Sequence, residues 1–243
     1  MNKVFCRKRV LFSFILAGYL ILFNTACGLD TFYVIDSPNN TIHAPSYSSI
    51  EYQDNYFEFW TEDKTYDAIK FQGTEVYYRI YKSSDRLRTE VNDLIAIAEK
   101  DESNSAAYKL TDTYKYQPLR GKGYEDKDVL IPTAGYNQRV YIRLSDYSGT
   151  YFAEIKVNNN NIYGSSTTVI PVRNLDKSLS FNFKELTEDE RPQSGDVDVN
   201  TNGSSSDNDW YVSLFAVAVG LDYTYSQIYS NILYLGSVRI PIE

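Results

Sequence analysis

The strongest structural constraint in this sequence is the alternation of side chains along residues 73–82, GTEVYYRIYK. One face of this segment in an extended chain is apolar and carries Val76, Tyr78 and Ile80. The opposite face mixes aromatic and charged side chains and carries Glu75, Tyr77, Arg79 and Tyr81. A period of two is typical of a half-buried β-strand. The pattern predicts a strand whose apolar face points inward and whose mixed row points outward.

Segments with the same strand character recur along the chain, with turn residues between them. They span residues 56–61, 129–132, 139–145, 151–157, 167–173, 179–184 and 231–242. Residues 210–221, WYVSLFAVAVGL, are apolar on both faces and predict a central strand. The 23 Tyr and 12 Phe residues also favour pleated, half-buried surfaces. The sequence therefore predicts a mainly β fold, an antiparallel β-sandwich of the immunoglobulin or fibronectin III kind.

A helical pattern interrupts the strands at about residues 85–112. Leu87, Val91 and Leu94 recur at helical spacing, and a Ser-Ser-Asp cluster that favours a helix N-terminus precedes them. We expect a helical insertion that packs on the sheets or across an open end. It would belong to a single domain of residues 50–243.

The N-terminal 26 residues have the order of an export signal. Four basic residues and no acidic ones precede an uncharged apolar run, residues 10–23, that is short for a membrane-spanning helix. The run ends in Asn24-Thr25-Ala26-Cys27-Gly28, which resembles the lipobox of bacterial lipoproteins in the relaxed form found in spirochaetes. The resemblance implies cleavage before Cys27, lipidation of Cys27 and a tether at residues 27–49. The alternatives are a plain secretory signal and an uncleaved anchor.

Lipidation would place the mature protein in the cell envelope, at the inner or outer membrane, periplasmic or surface-exposed. Cleavage removes four of the 24 basic residues and none of the 32 acidic ones, which leaves a net charge of −12. Such a chain repels nucleic acid, so we expect no nucleic-acid partner. Cys6 lies in the signal and Cys27 would carry lipid, so no thiol remains for a disulfide or a Cys-based metal site.

A second resemblance concerns residues 71–81, FQGTEVYYRIY, and residues 232–240, ILYLGSVRI. Both segments are similar to segments of treponemal lipoproteins with fibronectin-like sandwiches. The resemblance implies an uncharacterised envelope lipoprotein, and it carries over no functional residue.

A candidate calcium site lies in the polar segment at about residues 187–209, which we expect to be a flexible acidic loop. The oxygen-bearing side chains follow the spacing of an EF-hand loop, with Gly203 at its sharp turn. The candidate ligands are Asp198, Asn200, Asn202, Ser204 and Asp209. An Asp in place of the final Glu and a proline upstream argue against the motif. The alternative is a disordered loop that binds no calcium. We expect no other cofactor.

The outward row Glu75, Tyr77, Arg79 and Tyr81 forms a candidate ligand-binding surface, because aromatic faces stack on sugar rings. Cross-strand tyrosine pairing that only stabilises the sheet is the alternative. We assign no catalytic residue, since His43 is the only histidine and no G-x-S-x-G motif is present. We therefore expect no enzyme.

These observations favour a lipid-anchored binding, adhesion or structural module of the envelope. Its partners would be the membrane, through the N-terminal lipid, and a protein or glycan ligand. The alternatives are an envelope-tethered, carboxylate-based glycan hydrolase and a calcium-dependent glycan-binding module.

Overall fold

In the computed structural model, two long strands pair in the middle of a six-stranded sheet. The structure describes residues 34–49, 51–66, 68–100, 104–175, 177, 179–203 and 209–242. Tyr33–Glu243 forms one compact unit. The export signal and Cys27 lie outside the described residues. No helix among the residues described is long and apolar enough to cross a membrane.

The strands are joined by loops of varied length and by one helical segment. They are β1 Asn40–His43, β2 Phe57–Trp60, β3 Lys70–Tyr81, β4 Gln117–Pro118, β5 Arg120–Gly121, β6 Ile131–Pro132, β7 Arg139–Arg143, β8 Glu154–Val157, β9 Asn160–Asn161, β10 Pro171–Val172, β11 Val199–Asn200, β12 Asp209–Leu221 and β13 Gln227–Pro241. The helices are α1 Ser84–Lys100 and α2 Ser105–Tyr108, followed by a π-helical turn at Lys109–Thr113; 3-10 turns lie at Tyr52–Asp54 and Ile162–Gly164.

The larger sheet has the order β11-β3-β12-β13, and β4 and β6 also pair with β3. β12 is antiparallel to β3 from Tyr211 opposite Tyr81 to Leu221 opposite Lys70. β12 and β13 form a long antiparallel hairpin. β12 is buried along nearly its whole length, because it lies between two strands and both faces of the sheet are covered.

The smaller sheet has the antiparallel order β1-β2-β7-β8-β9. It packs face to face on the larger sheet, and the side chains between the two sheets form the main core. This core contains the apolar row of β3, with Val76, Tyr78 and Ile80 each fully buried. Apolar side chains of β2, β7 and β12 complete it. The mainly β sandwich with a helical insertion is thereby confirmed.

A second core lies on the other face of the larger sheet, where α1 and α2 pack against it. Leu87, Val91 and Leu94 of α1 are buried there, as their spacing predicts. This helical layer covers Tyr77 and Tyr81 of the mixed row of β3, and Glu75 is covered where it contacts Arg120 and the backbone of Leu130, so that all three residues are less than 10 % exposed. The expectation that the mixed row is exposed is therefore wrong, because other parts of the chain pack on that face.

Three further expectations about segments need correction. Residues 179–184 form turns rather than a strand, although Phe181 and Phe183 are fully buried. Part of the predicted tether, Asn40–His43, is an edge strand paired with β2. The predicted flexible loop contributes β11, which pairs with β3 in parallel at Ile80 and Tyr81. In each case long-range packing decides the conformation of a segment that is ambiguous locally.

Candidate functional site

A cleft of about 380 Å³ opens at the rim of the sandwich, where β6 of the larger sheet approaches the β8–β9 turn of the smaller sheet. Its floor is apolar, and Leu130, Ile131 and Ile162 are nearly fully buried. Its size lies within the range of small-molecule sites, which are concave and mainly apolar with a few polar groups. The cleft is therefore a candidate binding site.

Amides and tyrosines supply every polar side chain that lines this cleft. They are Tyr136, Gln138, Asn158, Asn160, Asn161 and Tyr163. None of the residues lining it is charged. A ligand that fits this lining is neutral, because a buried charge without a partner is costly.

Several of these amides already use one half of their hydrogen-bonding capacity to hold the rim. The Nδ2 of Asn160 donates to the carbonyl of Asn158 at 2.9 Å, and the Nδ2 of Asn161 donates to the carbonyl of Ser165 at 3.2 Å. The Nε2 of Gln138 donates to the carbonyl of Pro132 at 2.9 Å. Within the described ranges, the oxygen atoms of these three amides have no protein donor. These three amide oxygens can accept hydrogen bonds from a ligand, and the bonds of the amide nitrogens to the backbone hold them in place.

The two tyrosines differ in how firmly they are held. The hydroxyl of Tyr163 donates to the carbonyl of Leu130 at 2.7 Å, and its ring packs 4.7 Å from the ring of Tyr124. Tyr136 is 60 % exposed and follows Gly135 in a turn. Tyr163 thus forms a fixed wall, and Tyr136 offers an open aromatic face at the mouth.

The backbone on one side of the cleft is strained. Asn158, Asn159 and Tyr163 adopt left-handed conformations, with φ of 51°, 62° and 58°. Asn tolerates this region, whereas a bulky residue such as Tyr rarely adopts it. Strain of this kind persists where surrounding contacts enforce it, and it concentrates at binding sites and active sites.

Glu75, a residue of the predicted ligand row, lies behind the inner wall of the cleft. Its Oε1 accepts from the backbone nitrogen of Leu130 at 3.3 Å, and its Oε2 accepts from Nη1 of Arg120 at 2.8 Å. Burial raises the pKa of Glu75 to about 7, although Arg120 opposes this shift. Glu75 positions the wall and does not reach the ligand space.

The other members of the predicted ligand row serve the helical layer. The hydroxyl of Tyr81 donates to the Glu90 carboxylate of α1 at 2.8 Å, and its oxygen lies 2.9 Å from the hydroxyl of Tyr116, from which it can accept. Arg79 lies 4.0 Å from Glu90, and burial raises the pKa of Tyr77. The structure does not gather the four residues on an accessible surface.

The predicted calcium ligands are separated by their protein partners. Asp198 is fully buried; its Oδ1 accepts from Nη2 of Arg173 at 2.7 Å, and its Oδ2 accepts from the hydroxyl of Tyr78 at 2.7 Å. Asn200 donates to Glu90 at 2.9 Å. Calcium binding would have to break these contacts.

The remaining calcium candidates are scattered around the same end of the sheet. Asn202 is exposed, Asp209 lies 3.5 Å from Arg239, and Ser204 lies outside the described residues. Gly203 has φ of 101° and packs on Ser83, which accounts for glycine at this turn. No cluster of three metal-ligating His, Cys, Asp or Glu side chains occurs in the described part of the chain.

A second cleft, of about 580 Å³, is lined by charged side chains that include Lys177, Asp189, Arg191 and Asp196. Asp196 is ion-paired at 2.7 Å with Arg173, which also binds Asp198. The Nε of Arg191 donates to the carbonyl of Phe183 at 3.0 Å. Two of these charged groups, Arg191 and Asp196, are therefore engaged by other groups of the protein.

Comparison with family models, with curated proteins and with solved structures finds no match.

Sequence reasoning does not identify the cleft, because its polar residues come from three separate turns. It treats residues 158–161 only as a turn and gives Tyr136 and Tyr163 no role. The available signal is a run of four asparagines directly after a strand, NNNN at 158–161. Such a run exceeds what a two-residue hairpin turn requires.

Proposed function

We propose that this chain is a lipid-anchored envelope module that binds a neutral glycan segment in the amide-lined cleft. The observation that carries the proposal is the lining itself: uncharged amide oxygens on a fixed rim beside two tyrosine rings. Sugar hydroxyls donate to amide oxygens, and the apolar face of a sugar ring packs on an aromatic ring. A volume of about 380 Å³ matches a ligand of about two sugar rings.

The anchor in this proposal is supported by the first 27 residues, with their basic start, apolar run and lipobox-like ending. Acylation of Cys27 would hold the compact unit at a membrane surface, where each buried CH₂ contributes about 0.8 kcal/mol. A neutral cleft also suits an acidic protein, because its binding does not depend on charge attraction.

The two alternatives receive less support from the same contacts. A glycan hydrolase needs two carboxyl groups about 5 to 10 Å apart beside the substrate, and no carboxylate lines the amide cleft. A calcium-dependent module needs Asp198 and Asn200 as ligands, and both are bound to protein groups.

Glycan-array screening of the full protein in detergent tests the proposal, followed by calorimetry with the best neutral oligosaccharide. Tyr136→Ala and Asn160→Ala should each weaken binding about tenfold, which corresponds to about 1.4 kcal/mol. Both positions are exposed, so the thermal midpoint should stay within about 2 °C of the parent value.

Phe152→Ala is the matched control, because Phe152 is 58 % exposed and does not line the cleft. It should bind the oligosaccharide like the parent protein. Binding of no neutral glycan, or binding that neither cleft variant weakens, would refute the proposed site.

A further inference from the structure

The loop that joins β12 and β13 presents two tyrosines to solvent. Tyr223 is 73 % exposed and Tyr225 is 80 % exposed, the two highest values among the exposed large hydrophobic residues that the structure describes. They lie at the tip of the β12–β13 hairpin, the longest hairpin in the described structure. The last paired residues before this loop are Leu221 and Gln227.

This loop is a well-defined turn with internal hydrogen bonds. The Oδ1 of Asp222 accepts from the backbone nitrogens of Thr224 at 2.7 Å and Ser226 at 2.9 Å, and from the Thr224 hydroxyl at 2.6 Å. The backbone nitrogen of Tyr225 donates to the carbonyl of Asp222 at 3.0 Å. The Asp222 carboxylate is therefore engaged in the turn, and the two rings project from a fixed support.

Tyr225 occupies a conformation that its side chain disfavours. Its φ is +62°, in the left-handed region that Gly and Asn adopt readily and aromatic residues rarely adopt. A strained position that nevertheless carries a large exposed ring is a reason to look for a partner of that ring.

The chain enters the compact unit at this same end of the molecule. Ile35 is buried and packs on Gly220, where an added Cβ would lie 2.9 Å from its Cδ1. Gly220 is paired with Ile228 close to the hairpin tip. Six residues lie between Cys27 and Val34, and the seven steps from Cys27 to Val34 span at most about 25 Å in a fully extended chain.

We propose that the hairpin tip, residues 222–226, rests in the interfacial layer of the membrane that holds the lipid anchor, through Tyr223 and Tyr225. This inference relies on the anchor in the proposed function and adds the surface that faces the bilayer. Tyrosine is suited to the contact because its ring is apolar and its hydroxyl is polar, which is why it is enriched at membrane interfaces. A short tether to the same end keeps the tip close to the bilayer.

The test uses the full lipidated protein in phosphatidylcholine vesicles whose acyl chains carry bromine, a short-range quencher of tryptophan. Tyr223→Trp introduces a reporter at the tip, and its added fluorescence should fall about twofold relative to unbrominated vesicles, since an interfacial ring lies at the headgroup and acyl boundary. Tyr225→Asn in the same background should reduce the quenching and leave the thermal midpoint unchanged or higher, because Asn accepts the left-handed backbone.

Val197→Trp is the control at the far end. Val197 is 51 % exposed and precedes β11, which pairs with Ile80 opposite Val212. Leu221 lies nine positions after Val212 in β12, which is about 30 Å of strand. The tryptophan at this position should not be quenched.

Three results would overturn the inference, and they are distinguishable. A protein that does not float with vesicles refutes the anchor and the membrane contact together. A protein that floats while its tip tryptophan is quenched no more than the far-end control refutes the membrane contact alone and leaves the anchor standing. Concentration-dependent dimerisation in detergent that Tyr225→Asn abolishes, without quenching, would assign the tip to a second copy of the chain.

Discussion

At the scale of single residues, Glu75 differs most from its prediction, because the sequence places it on an outward face and the structure buries it. It occupies the mixed row of β3, yet it is buried between Arg120 and the backbone nitrogens of Val76 and Leu130. Burial favours the protonated carboxyl, and the pKa of Glu75 rises from 4.5 to about 7. The carboxyl group of Glu75 therefore has a structural role, and its protonation changes near neutral pH.

The first prediction concerns the pH dependence of stability. Because the folded-state pKa of Glu75 is raised, the folded chain binds this proton more tightly than the unfolded chain. The stabilisation is fully present below about pH 4.5 and is lost as the pH rises through about 7. Glu75→Gln should therefore gain up to about 3 kcal/mol relative to the parent between pH 5 and 8. Urea unfolding at several pH values measures this difference.

Glu99→Gln is the control for this series, because Glu99 is an exposed residue of α1. Its difference from the parent should be small and constant. A pH-independent difference for Glu75→Gln would contradict the assigned role of the buried carboxyl.

The second prediction separates a structural from a calcium-binding role of Asp198. Asp198→Ala leaves the fully buried Arg173 without its main partner, so we expect a loss of about 3–5 kcal/mol in the free energy of unfolding. The loss should be the same with and without calcium. Thermal melting in both conditions measures it.

Asn202→Ala is the matched control, because Asn202 belongs to the same predicted ligand set but is exposed. It should melt like the parent protein. Calcium that raises the midpoint of the parent but not of Asn202→Ala would establish the ion site instead.

At the scale of elements, α1 is attached to the sheet by a polar group as well as by its apolar stripe. Glu90 is 2 % exposed and faces the larger sheet between Leu87 and Val91. It accepts hydrogen bonds from Tyr81 at 2.8 Å and from Asn200 of β11 at 2.9 Å, and it pairs with Arg86 at 2.9 Å. One carboxylate therefore links the helix, β3 and β11.

The third prediction is that Glu90→Leu destabilises the protein although leucine is apolar and similar in size. The hydroxyl of Tyr81 and the amide of Asn200 would lose a charged acceptor in a buried place, at a cost of about 2–4 kcal/mol. Hydrogen exchange should accelerate first in α1 and at the backbone nitrogen of Lys82, which donates to the carbonyl of Asn200. Glu99→Leu, on the exposed side of the same helix, should change stability by less than about 0.5 kcal/mol. Equal losses of stability in Glu90→Leu and Glu99→Leu would contradict the role of the Glu90 carboxylate in linking α1 to β3 and β11.

At the scale of the whole molecule, the two cores share the same strands. β3 and β12 contribute one face to the core between the sheets and the opposite face to the core under the helices. Neither core can lose its packing while the other keeps an intact sheet, so their stabilities should be coupled.

The fourth prediction is a single unfolding transition for the compact unit. Tryptophan fluorescence, which reports Trp60 of β2 and the core residue Trp210, and circular dichroism of the helices should give coincident denaturant curves. Glu90→Leu, which acts on the helical side, should shift both curves equally. Two separate transitions would show that the cores unfold independently.

The sequence alone determined the features that depend on local periodicity. Alternation along 73–82 and the doubly apolar run 210–221 predict the two strands that centre the larger sheet, because alternation marks a strand with one apolar face and a strand covered on both faces is rich in apolar side chains. Helical spacing predicts α1 and its buried face for the same kind of reason. The export signal and the lipobox resemblance are also sequence features, and they stay predictions.

The tertiary structure decided everything that depends on which surfaces meet. The mixed row of β3 is locally indistinguishable from a solvent-facing row, and only the packing of the helical layer and of Arg120 against it makes it an interior row. Asp198 is suited by spacing to a cation loop, but Arg173, 25 residues earlier, takes its carboxylate. The amide cleft draws its side chains from residues 130–138 and 157–163, and their convergence depends on how the two sheets pack, which local periodicity does not encode.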